Sequence, residues 1–457
     1  MSFNRRQLLR FLALAASPAV LRAQKPVHGM LVRCTRPENL EMPLDAFSSW
    51  ITPNDKFFVR SHHYTPRVTL ADYRLQVAGL IRQNLSLRME DLRGLPRHEL
   101  AGVLECAGNG RAHYRPGIPG IQWAYGAAGN AHWAGVRLAD VLRKAGLKDG
   151  AAEVLFDGAD VPVGAMPEFR RSIPLTKALE EATLLAYEMN GAQLPESHGF
   201  PLRVIVPGWA GDSWVKWVTR IEVLDREYDG FFMKTAYRHP GRPVVPGSSV
   251  DPAMMRPITA LRVKSVIASP LDGSRIGTGP VRILGAAWAG ESPLTSVELS
   301  VDGGRSWRPA ALGAERAPFA WRLWEWSWTP ATAGYFTIIA RARDASGDTQ
   351  PFVQEWNPSG YLWNVIQQVG VEITRDLKPS EVVPPGEPKR GHWPPPSAAF
   401  KRACLVCHDA GVIEQQRLAP AQWERELDKM IRWGAQVSEQ DRAGILQYLI
   451  DNFGPRR

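Results

Sequence analysis

The chain has 457 residues, 44% of them hydrophobic and 22% charged, with a formal charge of +9. This length allows about three domains, each able to bury a core, in an ordinary globular composition. The positive balance suits an anionic ligand or partner, but Lys and Arg are dispersed with no basic run or reader motif, which argues against nucleic acid.

In chain order, "NRRQLLRFLALAASPAVLRAQ" sets paired Arg5 and Arg6 before a short apolar stretch, with small residues near Ala23. Residues 1–23 read as a twin-arginine signal peptide rather than a membrane span, because Arg10 and Pro18 interrupt a segment already too short to cross a bilayer. The expected location is the periplasm. That route exports folded proteins, so a cofactor loaded in the cytoplasm is implied. No other segment approaches a transmembrane length.

Residues 24–257 alternate Gly-rich loops with short strands and helices, and the fold class is α+β. "RLADVLRKAGL" (137–147) places Leu138, Val141, Leu142 and Ala145 at helical spacing before Gly146. "LRVIVPG" (202–208) reads as a strand ending in a turn. Residues 258–375 change texture to short strands separated by turns. "VELSVDGGRSWRPAAL" is a hairpin by its Asp-Gly-Gly, and the whole stretch suggests a β-sandwich. Residues 376–397 are Pro-rich and read as a semi-extended linker. Residues 398–457 form a small all-α unit. One helix starts near Pro420 and stops at Gly434; another opens on a capping box at Ser438 and Asp441 and ends at Gly454.

The chain holds four cysteines, and their contexts do not suggest disulfides. Cys34 reads as a buried free thiol. "CLVCH" (404–408) has two cysteines spaced to form thioethers with haem vinyl groups and a histidine to reach the iron. A zinc site would need further ligands, and the tail offers no Cys or His beyond His408. A thioredoxin-type pair would need a βαβ setting. Cys404 and Cys407 are therefore expected to attach haem c, with His408 as proximal ligand. Met430, the only methionine between the linker and the C-terminus, is the expected distal ligand, with His392 as the alternative.

The remaining cysteine lies in "ECAGNGRAHY" (105–114), with Arg111 and His113 close behind. A thiol beside cations is easily deprotonated, and the thiolate is a nucleophile or a metal ligand.

Here the chain resembles the sulfite oxidase family of molybdenum enzymes. The resemblance covers about residues 28–375 and is carried by "FFVRSHH" (57–63), "ECAGNGR" (105–111), "HWAGVRLADVL" (132–142), "LLAYEMNGAQLPESHGFPLRVIVPG" (184–208) and "WVKWVTRIEV" (214–223). It implies a molybdopterin domain followed by an immunoglobulin-like dimerisation sandwich, hence a homodimer. It also implies molybdenum-molybdopterin as cofactor, with Cys106 as the protein ligand to the metal, a soft thiolate among sulfurs. Arg60 and His62 match the family's Arg-x-His segment beside cofactor and substrate. His198, Arg203 and Lys216 match residues that grip the pterin phosphate, and Ser213 and Asp160 are further cofactor contacts. Tyr237 matches the tyrosine near the reacting oxygen. Arg111 and Trp123 match the anion pocket.

Two features depart from the animal members. Gly110 stands where they carry an arginine, which is expected to loosen the substrate pocket or alter its anion preference. Their b-type haem domain is absent, and a c-type cytochrome domain follows instead. The implied activity is oxidation of sulfite to sulfate, with electrons passing through the haem to an external acceptor such as a cytochrome c. "NPSGYLWNVIQ" (357–367) also resembles sulfane dehydrogenases of sulfur-oxidation systems, which keeps that substrate open. A family reductase acting on oxidised methionine, and an electron carrier with an inactive molybdenum-type domain, are the remaining alternatives.

Overall fold

The computed structural model describes residues 29–386 and 393–455. The expected signal peptide and His392 lie outside the described residues.

The first half is built on two five-stranded sheets with a three-stranded sheet at the start of the chain. In one large sheet, Leu75–Gly79 buries Leu75 and Val77 and exposes Gln76. That period-two pattern lays one face on the core. This strand pairs in parallel with Val218–Leu224, which pairs antiparallel with Glu153–Gly158. In the other sheet, Arg97–Glu105 and Ala128–Arg137 stay in register from Arg97↔Val136 to Glu105↔Ala128. This long antiparallel pairing carries Glu105 to the end of its strand and leaves Cys106 just beyond it. The helix Leu138–Ala145 buries Leu138, Val141, Leu142 and Ala145 and stops at Gly146. The strand Arg203–Ile205 lies wholly in the core.

Residues 264–383 form two packed sheets, one of four strands and one of six. Their facing residues, among them Ile267, Ile283, Leu299, Ile338 and Val369, make a separate core. The Asp-Gly-Gly turn closes a hairpin between Leu294–Ser300 and Arg308–Pro309. Asp302 organises it by accepting from Ser300 Oγ at 2.7 Å and Ser306 N at 3.0 Å. The Pro-rich stretch after residue 375 is not a spacer throughout. Val382–Val383 pairs antiparallel with Ser274–Gly277 and becomes the edge of the six-stranded sheet, because two β-branched residues fit an open edge whose backbone groups lack partners.

The C-terminal part holds the helices Ala398–Cys404, Gly411–Glu414, Pro420–Arg432 and Glu439–Phe453. Phe400, Trp423, Leu427, Ile445, Leu449 and Phe453 form their common core. Pro420 opens one helix; Ser438 Oγ accepts from Asp441 N at 3.1 Å to cap the next. No helix among the described residues is long and apolar enough to cross a membrane. The helical part is bonded to the first half at several points. Asp409 N donates to Arg36 O at 3.1 Å and Ala165 N to Trp433 O at 2.9 Å. Tyr64 donates to Cys407 O at 2.9 Å, and Gln422 Nε2 to Gly117 O at 2.8 Å.

Candidate functional site

The loop after Glu105 is held on every side. Cys106 N donates to Ala127 O at 2.9 Å, and Asn109 N to Cys106 O at 2.9 Å. Asn109 also reaches outward, with Nδ2 donating to Glu105 Oε1 at 2.9 Å and to Tyr125 O at 3.0 Å. Cys106 is buried. Contrary to the expectation of an easily ionised thiol, its pKa is raised. Burial is the largest cause and outweighs the lowering by Arg60, the Gly108 backbone and Arg111. A metal ion is then what would deprotonate it. Gly110 has φ +91°, and a Cβ there would collide with the Trp363 side chain. The Trp363 side chain occupies the space that a side chain at position 110 would enter.

One cavity beside this loop is lined by Arg60, His62, Cys106, Asp160, His198, Arg203, Lys216 and Tyr237. Its far end is strongly cationic. Lys216 Nζ donates to Ser61 Oγ at 3.0 Å and Ser197 O at 2.8 Å, over the Trp217 ring. Arg203 donates to His198 O at 2.9 Å and Trp214 O at 3.1 Å, and its Nε has no partner. Burial is the main cause that lowers Lys216 to about 7, Arg203 to about 9 and His198 to about 3. Asp160 moves the other way, raised by burial to about 6. Each of these hydrogen bonds from Lys216 and Arg203 ends on a neutral oxygen. A buried Arg203 and a half-buried Lys216, with Asp160 as the one lining carboxylate that acts on Lys216, leave an excess of positive charge that fits an anion such as a phosphate.

The near end is aromatic. His62 stacks on Phe169 with ring centroids 4.3 Å apart, and its Nε2 lies 2.8 Å from the Tyr237 hydroxyl. Burial, then Arg60, pushes the His62 pKa well down, so the ring is neutral. Tyr237 has φ +54° and stacks on Tyr361 at 5.2 Å. A left-handed φ is uncommon for a bulky residue, and here the packed rings maintain it. Arg60 is held by Asn39 Oδ1 at 3.2 Å and by the carbonyl of Ser61. Arg111 donates to Ile121 O at 3.1 Å and lies over the Tyr361 ring.

Two expected contacts stand elsewhere. Trp123 is fully buried, does not line the cavity, and packs edge-on against Phe58 one layer behind it. Ser213 is buried between Asp212 and Trp214, which both line the cavity while it does not.

A second cavity of about 380 Å³ continues from the first. Arg60, His62, Cys106, Arg111, Tyr237 and Tyr361 line it, and so do Cys404, Cys407, His408 and Met430. His408 Nδ1 lies 3.0 Å from Asp409 O. Donation from Nδ1 to that carbonyl leaves Nε2 as the nitrogen with a lone pair for a metal. Both cysteines are free and half-buried, as attachment to a haem requires. No group of three or more His, Cys, Asp or Glu that would hold a bare metal ion occurs among the described residues. A single thiolate at Cys106 and a single imidazole at His408 instead suit metals that arrive with most of their own ligands.

Several lining residues escaped the sequence reading. Met166 lines the second cavity with Met430, although it is far from the CLVCH motif in sequence. Asp212, ion-paired with Arg171 and fully buried, lies in the first cavity, raised to about 6 by burial against the opposing pull of Arg171. Tyr361 comes from the segment 357–367, whose family likeness was the only available signal.

Residues 62–232 match the oxidoreductase molybdopterin binding domain family, and residues 255–374 match the Mo-co oxidoreductase dimerisation domain family. The chain is 38% identical over 359 residues to the mitochondrial sulfite oxidase of Rattus norvegicus, covering 75% of this chain and 65% of that protein. It thus spans about two thirds of that relative's length. It is 35% identical over 375 residues to the sulfite oxidase of Arabidopsis thaliana, covering 76% of this chain and 94% of that protein. Among solved structures, it is similar to the crystal structure of the sulfane dehydrogenase SoxCD from Paracoccus pantotrophus. The TM-score is 0.63 at 28% identity, over 79% of this chain and 88% of that one.

Proposed function

Because the chain belongs to the sulfite oxidase family of molybdopterin oxidoreductases, we propose that it oxidises sulfite to sulfate and passes the electrons through its own c-type haem to an external acceptor, such as a cytochrome c. The observation that carries this reading is a single cavity lined both by Cys106, Arg60 and Arg111 and by Cys404, Cys407 and His408. An export route through paired Arg5 and Arg6, a periplasmic location and a homodimer formed through the sandwich belong to the same reading.

His198, Arg203 and Lys216 would hold the pterin phosphate, with Asp160 facing them, and Cys106 would ligate molybdenum. Cys404 and Cys407 would attach the haem, His408 and Met430 ligating its iron. When bound, these groups supply a metal centre that transfers oxygen by two electrons and a one-electron relay. The overall change balances as sulfite plus water giving sulfate, two protons and two electrons.

The chain's own part is binding and orientation. Arg60 and Arg111 present guanidinium groups to a small dianion, and a planar fork of N–H donors suits an oxyanion. Neutral His62 fixes the Tyr237 hydroxyl at the cavity wall. The aromatic wall of Phe169, Tyr237 and Tyr361 limits water there, which strengthens each charge interaction.

A sulfane dehydrogenase is the second reading, supported by the likeness to the Paracoccus structure and by segment 357–367, which supplies Ser359 and Tyr361 to the cavity. A carrier-borne substrate needs a wide mouth. The bonds at Arg36, Tyr64, Gly117 and Ala165 hold the helical part against the cavity and favour the small anion. The test is metal and haem analysis of the exported protein, followed by haem reduction with free sulfite or with carrier-bound sulfane sulfur. Reduction by sulfite alone is expected. Reduction by the carrier alone would replace this reading with the second. In Cys106→Ser, sulfite turnover should collapse while the haem stays attached.

A further inference from the structure

We infer that Glu105 is a positioning residue through which the β-sandwich sets the geometry of Cys106. The inference rests on Cys106 being the metal ligand.

Glu105 is 4% exposed and ends the strand Arg97–Glu105, one residue before Cys106. Its carboxylate is shared between the two halves of the fold. From the sandwich, Lys264 forms an ion pair with Oε1, and Trp288 Nε1 donates to Oε2 at 2.8 Å. From the cysteine loop, Asn109 Nδ2 donates to Oε1 at 2.9 Å. Lys264 is also buried, at 5% exposed. Both oxygens are engaged, so the carboxylate has a single satisfied orientation.

The same loop is gripped again from the far end of the sandwich segment, where Leu362 N donates to Ala107 O at 2.9 Å. Trp363 packs over Gly110. A core of its own would suffice for the sandwich, and a buried ion pair is often no more stabilising than apolar residues of like volume. A buried pair adjoining the predicted ligand, and bonded to the side chain that braces its loop, instead fixes orientation. Small displacements of a reacting group are costly in rate: a misplacement of about 1 Å can lower it about 10²-fold.

The test compares the holoenzyme with Glu105→Gln and with the double variant Glu105→Gln/Lys264→Met. The double variant removes both charges and leaves no buried ion uncompensated. Metal content, melting temperature, steady-state kinetics and the Mo(V) electron paramagnetic resonance spectrum are measured for each. The expected result in the double variant is retained metal and melting temperature, altered g-values, and kcat lower by about tenfold or more at nearly constant KM for sulfite. A folded, metal-loaded double variant with wild-type g-values and kcat would overturn the inference. The Cys106→Ser spectrum separates the two levels. A wild-type signal in that variant would overturn the ligand assignment itself, and the inference with it.

Discussion

The hydroxyl of Tyr64 donates to the carbonyl oxygen of Cys407 at 2.9 Å, tying the CLVCH motif to the loop that follows Arg60 and His62. On the other side of the motif, Asp409 accepts from the backbone N–H groups of Thr35 and Arg36 and returns a bond from its own N–H to Arg36 O. The residues flanking His408 are thereby docked against the part of the chain that carries Cys106.

Loosening this docking should slow electron transfer without disturbing either site. In Asp409→Ala, each lost charge-assisted bond would remove about 1 kcal/mol or more of docking energy, discounted from the buried value because this contact is exposed. The haem spectrum should be unchanged. Sulfite-driven haem reduction, followed by stopped flow, should slow and become sensitive to solvent viscosity. A rate equal to wild type and independent of viscosity would show that these bonds do not hold the productive pose.

Arg111 and Tyr237 should separate capture from turnover. Loss of one charged hydrogen bond, worth about 1.5–3 kcal/mol, should raise KM for sulfite about tenfold or more in Arg111→Met. Tyr237→Phe keeps the ring that stacks on Tyr361 and loses the hydroxyl beside His62, so kcat should fall more than KM rises. Steady-state kinetics with an unchanged KM in Arg111→Met would remove Arg111 from the anion pocket.

Met430 and Met166 line the same cavity as His408, and spectroscopy can tell them apart. A Met-ligated ferric haem has a near-infrared band, and Met/His ligation raises the potential above that of bis-His ligation. Met430→His should abolish the band and lower the potential, whereas Met166→Leu should keep both. Loss of the band in Met166→Leu instead would mean that the first half of the chain supplies the distal ligand.

Lys216 makes the cofactor-free protein sensitive to pH. Burial and Arg203 lower its pKa to about 7 in the folded state, against about 10.4 when unfolded. Between these values the unfolded chain binds more protons, so folding stability rises with pH. The gain is up to about 1.4 kcal/mol per pH unit. Melting of cofactor-free protein should therefore shift upward from pH 7 to 9. Lys216→Met should flatten that slope, and so should the bound cofactor, whose phosphate keeps Lys216 charged. An equal slope in wild type and Lys216→Met would assign the effect to another group.

Local chemistry was readable directly from the sequence. Helical spacing with Gly146 behind it marked Leu138–Ala145, the Asp-Gly-Gly turn marked the sandwich hairpin, and Ser438 marked the start of the last helix, because each depends on residues a few positions apart. The cysteine loop and the cationic residues His198, Arg203 and Lys216 were legible through the motifs that carry them. Solvation was not. Cys106 looks ionisable beside Arg111 in the sequence, yet it is surrounded on all sides in the fold, and desolvation exceeds the pull of the cations. The same kind of long-range packing turned Trp123 behind the cavity, filled the space beside Gly110 with Trp363, and brought Met166 into the cavity that Met430 lines. It also paired Glu105 with Lys264, 159 residues away, and laid the CLVCH motif against the Cys106 site. A sequence determines which groups a segment carries and how they are spaced locally. Burial and partnership are sums over all segments that pack around a group, and only the tertiary structure performs that sum.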